Sequence, residues 1–166
     1  MSDHHIRELL IAGSVPAQDL AAVPSDQVGS YCSLFDSAGA EKLGRALADA
    51  LSPHEPTLVV VWEDIENTVL AHIVARELGV NALRVVDASG ILDFDGSFGT
   101  KDRAVVVADA FRGDFPINAM RALIEQQGGR VVAFGALMTT PALLAAAGDA
   151  AVTALWPGAA EDTATS

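Results

Sequence analysis

Residues 104–137 read AVVVADAFRGDFPINAMRALIEQQGGRVVAFGAL, and this stretch decides the fold. An apolar β-branched run leads into a short polar loop, a helical pattern, a Gly-Gly stop and a second apolar run. This order predicts a strand, a helix and a parallel strand. Asp109 falls where the first strand ends, and a loop that opens a helix is a common anion site. The loop is therefore the first candidate for a ligand site.

The rest of the chain continues the alternation of strands and helices. Leu43, Leu47 and Leu51 recur four apart, which predicts one apolar stripe on a helix over 40–51. Other segments have helical or strand patterns, and residues 89–103 are hairpin-like. The further helices are the short N-terminal HIRELLIA and NTVLAHIVARELGV, which ends at Gly79; the further strands are TLVVVW, ALRVVDA and AVTALW. The pattern predicts an α/β fold with a mostly parallel sheet covered by helices on both faces.

The length suits one domain with small additions at both ends. Residues 1–30 are interpreted as an N-terminal extension, residues 31–157 as the domain, and residues 158–166 as a disordered tail. The tail is polar and small in composition, and the extension contains a loop rich in Pro, Ser and Asp. The extension is interpreted as part of a hood over the domain or as a dimer contact.

Charge and composition exclude several classes of function. The formal net charge is −12 with ten basic residues, which leaves no cation cluster for nucleic acid. No apolar run approaches the roughly 20 residues that span a bilayer. The beginning MSDHHIRELL is unlike a secretory signal, and the single Cys32 permits no internal disulfide. We expect a cytoplasmic protein with a small-molecule ligand, no nucleic acid partner and no membrane partner.

Three acid-bearing loops lie at predicted carboxyl ends of strands, where open α/β sheets bind ligands. They are WEDIEN at 62–67, DASG at 87–90 and DAFRGD at 109–114. Trp62 is placed to stack on a ring ligand, although a tryptophan at the edge of the core has the same pattern. Surface loops of acidic proteins are also often rich in Asp and Glu without a function.

Other motifs are weaker evidence for a function. ILDFDGSFGT at 91–100 resembles the signature of haloacid-dehalogenase-like phosphatases, in which Asp93 would be the nucleophile and Asp95 the general acid. That signature follows the first core strand, and further downstream the family needs a lysine and a second acidic pair. Only about seventy residues remain here, and the only lysine after Asp95 is Lys101, which is too close. An acidic hairpin facing water is the preferred interpretation. His4 and His5 lie near the N-terminus, His54 and His72 are isolated, and no strand is followed by the glycine-rich dinucleotide loop.

The order of elements over roughly residues 30–157 resembles the type I phosphoribosyltransferase family, in its orotate- and purine-related branches. YCSLFDSAGAEKLGRALADAL is similar to the family's opening segment, and TLVVVWEDIENTVLAHIVARELGV to its strand, pyrophosphate loop and helix. GILDFDGSFGTKDRAVVVADA resembles the hood hairpin and signature strand, and AAGDAAVTALW the closing strand. The resemblance implies a phosphoribosyltransferase-like sheet with a small hood hairpin.

Carried over position by position, the resemblance implies a degenerate site for phosphoribosyl pyrophosphate. The family ends its signature strand in two adjacent acids that hold the ribose hydroxyls, where this chain has Asp109 and Ala110. The family loop then offers backbone N–H groups to the 5′-phosphate. The matching residues are Arg112, Gly113, Asp114, Phe115, Pro116 and Ile117. Proline has no N–H, and Phe115 replaces a glycine that admits phosphate.

Asp114 is the most consequential difference between this loop and the family's phosphate-binding loop. A carboxylate just before a helix is a favourable N-cap and complements the helix dipole. The sequence therefore predicts that Asp114 fills the anion site that the family leaves for phosphate.

The other two loops also lack the residues with which the family binds pyrophosphate. Where the family's pyrophosphate loop has glycines and often an arginine, this chain has Ile65, Glu66 and Asn67, flanked by Glu63 and Asp64. The family's basic pair after the next strand aligns with Val86 and Asp87. Exchanging an attractive contact for a repulsive one near 4 Å costs about 4 kcal/mol or more at an effective dielectric of 20. Phosphoribosyl pyrophosphate would then need Mg²⁺ to bridge it, with Asp109 and Asp64 as the metal ligands.

These departures leave three hypotheses. The first is a diverged phosphoribosyltransferase-like protein that lacks standard transfer activity and binds a cationic or metal-bridged small ligand, or a partner protein. The alternative is an active Mg²⁺-dependent phosphoribosyltransferase with a nucleotide-like ligand, and the remote alternative is the aspartate phosphatase. Whether the protein is an enzyme stays open, and no catalytic residue is assigned. The predicted ligand-binding residues are Asp109, Ala110, Phe111, Arg112, Gly113, Asp114, Trp62, Glu63, Asp64, Glu66, Asn67 and Asp87. Homodimers are common in the family that the chain resembles.

Overall fold

The structure, a computed structural model, describes residues 1–13, 36–113 and 115–156. Cys32, Asp114, most of the N-terminal extension and the C-terminal tail lie outside the described residues. The predictions made for them, including the disordered tail and the Asp114 cap, remain predictions.

Helices and strands alternate along the described chain as the sequence predicts. The helices are α1 (Asp3–Gly13), α2 (Ser37–Leu51), α3 (Ile65–Leu78), α4 (Ile117–Gln126) and α5 (Pro141–Ala146). A short 3₁₀ helix, Ser52–His54, follows α2. The strands are β1 (Leu58–Trp62), β2 (Asn81–Ala88), β3 (Ile91–Phe94), β4 (Arg103–Ala110), β5 (Arg130–Met138) and β6 (Ala151–Trp156).

The six strands form one sheet in the order β3-β2-β1-β4-β5-β6. All neighbours are parallel except β2 and β3, which are antiparallel. From β1 the chain builds outward through β2 and β3, and then returns to β4 on the other side of β1. The carboxyl ends of β1 and β4 therefore flank a topological switch point, where a crevice opens above the sheet.

Both faces of the sheet are buried. One face packs Val59, Val61, Val105 and Val107 against α1, α2 and α3, and includes the predicted leucine stripe of α2. The other face packs a second set of strand residues, including Val60, against α4 and α5. The central strands are consequently apolar without alternation, as the sequence predicts for strands covered on both sides.

The predicted boundaries hold closely, with two informative differences. Helix α3 begins at Ile65, before the quoted helical pattern, because the side chain of Asp64 caps it by accepting from the N–H of Asn67. It ends at Gly79, whose φ of 71° is the left-handed conformation expected of this glycine. The hairpin was predicted within 89–103, but it starts one strand earlier in the structure, since β3 pairs with β2 through a turn at Ser89 and Gly90. No helix among the described residues is long and apolar enough to cross a membrane.

Candidate functional site

A cleft of about 980 Å³ lies at the switch point, above the carboxyl ends of β1, β2 and β4. Its walls come from the loop after β1, the end of β2, β3, the loop after β4 and the first turn of α4. The lining residues are Trp62, Glu63, Asp64, Ile65, Glu66, Asn67, Asp87, Leu92, Arg112, Phe115, Pro116 and Ala119. The structure thus brings seven of the predicted ligand-binding residues together, from three separate loops.

Asp109 is not among the lining residues. Its side chain is 4% exposed at the end of β4, and the guanidinium of Arg112 lies against it. Nη1 and Nη2 of Arg112 donate to Oδ1 and Oδ2 of Asp109, each at 3.1 Å. The N–H of Ala110 also donates to Oδ1, at 2.7 Å. Both carboxylate oxygens therefore already accept hydrogen bonds from the protein.

A chain of hydrogen bonds joins this pair to the loop after β1. Asn67 is buried, with 4% of the residue exposed. Its side-chain oxygen accepts from the N–H of Asp109 at 2.6 Å. The side-chain nitrogen of Asn67 donates to Oδ2 of Asp64, and its backbone N–H donates to Oδ1 of Asp64 at 2.7 Å. Asp64 thus caps α3 and orients Asn67, and Asn67 fixes the backbone where β4 ends. The two loops of the cleft are one hydrogen-bonded unit.

Where the loop after β4 meets α4, two backbone N–H groups are already engaged and one position has none. Pro116 occupies the N-cap of α4 and has no N–H. The N–H of Phe115 donates to the carbonyl of Arg112 at 3.0 Å, and the N–H of Ile117 donates to the carbonyl of Phe115 at 2.8 Å. Phe111 is buried in the core, and its carbonyl accepts from the hydroxyl of Thr140. Ala110 is also buried, and Gly113 lies beside a neighbouring depression instead of the cleft.

Carboxylates dominate the polar wall of the cleft. Glu63, Asp64, Glu66 and Asp87 line it, against the single guanidinium of Arg112. Because Arg112 pairs with Asp109, the positive charge of Arg112 is largely neutralised by that buried carboxylate. Glu63 and Asp87 are held near each other, because the N–H of Asp87 donates to Oε1 of Glu63 at 2.9 Å. The side chains that line the cleft therefore carry a net negative formal charge.

Aromatic rings form the apolar wall. The ring centroids of Trp62 and Phe115 lie 6.5 Å apart with their planes inclined at 59°. Phe115 meets Phe111 edge-on at 4.8 Å, which anchors it to the core. Trp62 follows the last buried residue of β1 and is half-buried at the cleft. The cleft therefore offers an acidic wall and an aromatic wall to the same ligand.

The proposed phosphatase residues lie elsewhere. Asp93 is an exposed residue of β3, and Asp95 follows that strand; neither lines the cleft. Nε of Arg84 donates to Oδ2 of Asp95 at 2.6 Å. Burial raises the pKa of Asp95, but the hydrogen bonds and charge of Arg84 outweigh it and leave the pKa below its ordinary value. A general acid needs the opposite shift, so the geometry gives this hypothesis no support.

Asp109 and Asp64, the predicted magnesium ligands, also have their carboxylate oxygens engaged. Those of Asp109 accept from Arg112, and those of Asp64 accept from Asn67. Within the described ranges, no three His, Cys, Asp or Glu side chains converge as a metal site would require. The present arrangement of these residues does not fit the ion, and magnesium stays a prediction.

Residues that the sequence-based site omitted also line the cleft. Leu92 reaches it because β3 folds back beside β2, and Ala119 because α4 begins at its edge. Ile65 is 70% exposed at the start of α3. The alternation of Leu92 and Phe94 with acids was the available signal for Leu92, but only the strand pairing shows which face meets the cleft.

Solved structures of adenine and orotate phosphoribosyltransferases are similar to this chain. The adenine phosphoribosyltransferase of Rhodothermus marinus has a TM-score of 0.68 and 16% identity, covering 92% of this chain and 98% of its own. The orotate phosphoribosyltransferase of Mycobacterium tuberculosis H37Rv, in complex with 5-phospho-alpha-D-ribosyl 1-diphosphate, has a TM-score of 0.67 and 17% identity, covering 93% and 87%. The adenine phosphoribosyltransferase of Thermoanaerobacter pseudethanolicus has a TM-score of 0.61 and 20% identity, covering 74% and 82%.

No protein-family model and no curated protein sequence matches the chain. The structural similarity establishes the fold, and identities this low leave the activity open. The six-stranded, mostly parallel sheet with its flanking helices has a phosphoribosyltransferase-like fold.

Proposed function

We propose that this protein uses the phosphoribosyltransferase-like fold to bind a cationic small molecule and does not carry out the usual phosphoribosyl transfer. The observation that carries the proposal is the pair between Asp109 and Arg112. By the resemblance, Asp109 is the one remaining acid of the ribose-binding pair, yet it is 3% exposed and bonded through both oxygens. A ribose would have to displace a charged, bidentate partner to reach it.

The charge of the cleft supports the same conclusion. Four carboxylates face the space that the substrate's diphosphate would enter, and the one guanidinium is already paired. A unit charge 4 Å from another contributes about 4 kcal/mol at an effective dielectric of 20. Micromolar affinity corresponds to about 8 kcal/mol in total. Two uncompensated repulsions therefore suffice to prevent useful binding of a polyphosphate, and the same field attracts a cation.

The aromatic wall narrows the class of ligand. Trp62 and Phe115 flank the acidic wall, and a tryptophan face attracts a cation by about 0.5–2 kcal/mol. A planar cation such as an amidinium or a protonated heterocycle would use both walls together. The alternative occupant named from the sequence, a partner protein, would bring the same chemistry as an arginine or lysine side chain.

Calorimetric titrations with matched probes test the proposal. Benzamidine carries a planar cation, and benzamide is its neutral counterpart. We expect benzamidine to bind and benzamide to bind at least about tenfold more weakly, since one ion pair separates them. Asp87→Asn removes a cleft carboxylate and keeps the oxygen that accepts from Gly90. It should weaken benzamidine binding, whereas Asp49→Asn on the exposed end of α2 should not.

A second candidate function is the active Mg²⁺-dependent transferase, which the fold similarity to a phosphoribosyl-pyrophosphate complex favours. It is tested by titrating phosphoribosyl pyrophosphate with and without Mg²⁺ and by assaying pyrophosphate release with adenine or orotate present. Micromolar binding with pyrophosphate release would reject the proposed function. Equal affinity for benzamidine and benzamide would reject the cationic ligand independently.

A homodimer also remains a proposal. Light scattering on the full chain measures it, with the chain mass of 17.2 kDa as the monomer reference.

A further inference from the structure

A second cavity, of about 370 Å³, lies at the opposite edge of the sheet, where β4 and β5 begin. Arg103, Arg121, Arg130 and His54 line it. The chain has only ten basic residues and a net charge of −12, so three arginines in one cavity are a marked concentration of positive charge. We propose that this cavity binds the phosphate group of a small molecule. The inference is independent of the proposed function of the cleft.

Two of the arginines are forced together by the sheet. Arg103 and Arg130 are register partners at the starts of β4 and β5. Neighbouring strands lie about 4.8 Å apart, so paired residues begin their side chains at about that separation. Like charges directly beside each other in a sheet are destabilising. An anion between the two guanidiniums converts this repulsion into two attractive contacts.

The protein itself holds two of the guanidiniums in place. Nε of Arg103 donates to the carbonyl of Glu55 at 2.9 Å, and its Nη2 donates to the carbonyl of His54 at 2.6 Å. Arg121 donates through Nη2 to the carbonyl of Ala147 and lies over the ring of Phe134, with its Cζ 5.4 Å from the centroid. These anchors are uncharged, so they orient the cations without neutralising them.

Arg121 and Arg130 retain unused capacity to donate. Nε of Arg121 is buried and has no hydrogen-bond partner among the described residues. Among the residues that the structure describes, the side chain of Arg130 makes no ion pair or hydrogen bond, and it is exposed. The exposed guanidinium of Arg130 can therefore donate to an anion that enters the cavity.

The carboxylates in and beside the cavity are poor competitors for the arginines. Asp149 and Glu55 each lie 3.8 Å from the nearest arginine nitrogen, beyond ordinary hydrogen-bond distance. Their side chains are 104% and 84% exposed, so water screens them. Glu125 lines the cavity and is also exposed. A ligand that bonds directly to the guanidiniums can replace these weak pairings.

The arrangement suits phosphate better than carboxylate. One guanidinium fork satisfies one carboxylate, whereas a phosphate group presents three strong acceptor oxygens and a charge of about −1.5 to −2. Here three arginines, from β4, β5 and α4, line one cavity. His54, whose Nε2 lies 3.3 Å from the hydroxyl of Thr153, supplies a fourth polar group.

Titration with inorganic phosphate, at an ionic strength held constant with chloride, tests the site. We expect one phosphate per chain, with Arg130→Gln and Arg103→Gln each weakening binding by about tenfold or more. The control is Arg45→Gln, which removes an exposed arginine paired with Glu77 on the other side of the molecule and should bind as the wild type does. Arg130→Gln keeps the test decisive if Arg103→Gln fails to fold.

Amide chemical shifts locate the bound ion. Phosphate should perturb the signals of Arg103, Arg130 and Val131 and leave those of residues 63–67 in the cleft unchanged. Wild-type affinity in Arg130→Gln, or shifts confined to the cleft, would overturn the site. Succinate binding as tightly as phosphate would overturn the assignment to a phosphate group.

Discussion

The guanidinium of Arg112 lies against the carboxylate of Asp109, with two nitrogen-to-oxygen distances of 3.1 Å. Arg112 comes three positions after Asp109 in sequence: Asp109 lies near the end of β4, and Arg112 lies in the loop that follows the strand. Asp109 is buried, while the side chain of Arg112 is 25% exposed at the wall of the cleft. The pair therefore connects the surface that a ligand would touch to the end of the central strand.

Removing Arg112 should destabilise the fold. Arg112→Gln leaves the carboxylate of Asp109 buried without its cationic partner. Losing one partner of a fully buried pair costs 3–5 kcal/mol; partial exposure of Arg112 reduces this to about 1–3 kcal/mol. Urea unfolding measures the loss. The double variant Arg112→Gln, Asp109→Asn has no buried charge and should recover part of it. Arg112→Gln within about 0.5 kcal/mol of the wild type would show that the pair contributes little.

Asn67 should be the most sensitive residue of the loop after β1. Asn67→Ala removes the acceptor for the N–H of Asp109 and the donor to Asp64. Leaving such buried groups without partners costs about 1–3 kcal/mol each. Asn118→Ala, at an exposed position in the first turn of α4, is the matched control and should change the free energy of unfolding by less than about 0.5 kcal/mol. Equal effects of the two variants would contradict the bridging role of Asn67.

Gly44 should not tolerate a methyl group, although alanine usually stabilises a helix by about 1 kcal/mol relative to glycine. A Cβ at Gly44 would lie 2.5 Å from Cγ2 of Ile73, because α2 and α3 approach closely there. Gly44→Ala should therefore cost about 1–3 kcal/mol by overpacking. Adding Ile73→Ala should make Gly44→Ala less harmful than it is alone, which a double-mutant cycle measures. Stabilisation by Gly44→Ala would show that the two helices separate readily.

Arg84 and Asp95 should give stability that depends on pH. The pKa of Asp95 is lowered in the folded protein, because the contribution of Arg84 outweighs that of burial. A carboxyl with a lowered folded pKa stabilises the fold above its unfolded pKa, about 3.9, and this contribution is lost as pH falls through the folded value. Arg84 is half exposed, so the pair contributes no more than about 1 kcal/mol.

The measurement compares wild type and Arg84→Gln by urea unfolding from neutral pH downward. The difference in their free energies of unfolding should be largest near neutral pH and should shrink below about pH 4. A difference that stays constant, or grows in acid, would contradict the role of the pair.

Much of the fold was predictable because its signals are local. The runs at 57–62 and 104–110 are apolar without alternation, which predicts strands covered on both faces, and β1 and β4 are such strands. Gly79 ends α3 because its left-handed conformation suits a residue without a side chain. The acid-rich loops follow the strands directly, so parallel order alone predicts that they meet at one edge of the sheet.

The roles of individual side chains were less predictable. Asp109 occupies the expected position in sequence, yet burial and Arg112 remove it from the cleft. Leu92 belongs to the cleft only because β3 pairs with β2. Local patterns cannot specify these outcomes, since each depends on which neighbour satisfies a charge or covers an apolar face.

The sequence by itself determined the alternation of strands and helices, the acidic loops and the missing second acid after Asp109. Periodicity, capping residues and the directions of parallel strands specify all of these within short segments. Only the tertiary structure decided that Asn67 bridges two loops, and that Arg103 and Arg130, far apart in the chain, become register partners. Such contacts depend on the strand order, because residues distant in sequence become neighbours only when the sheet places their strands side by side.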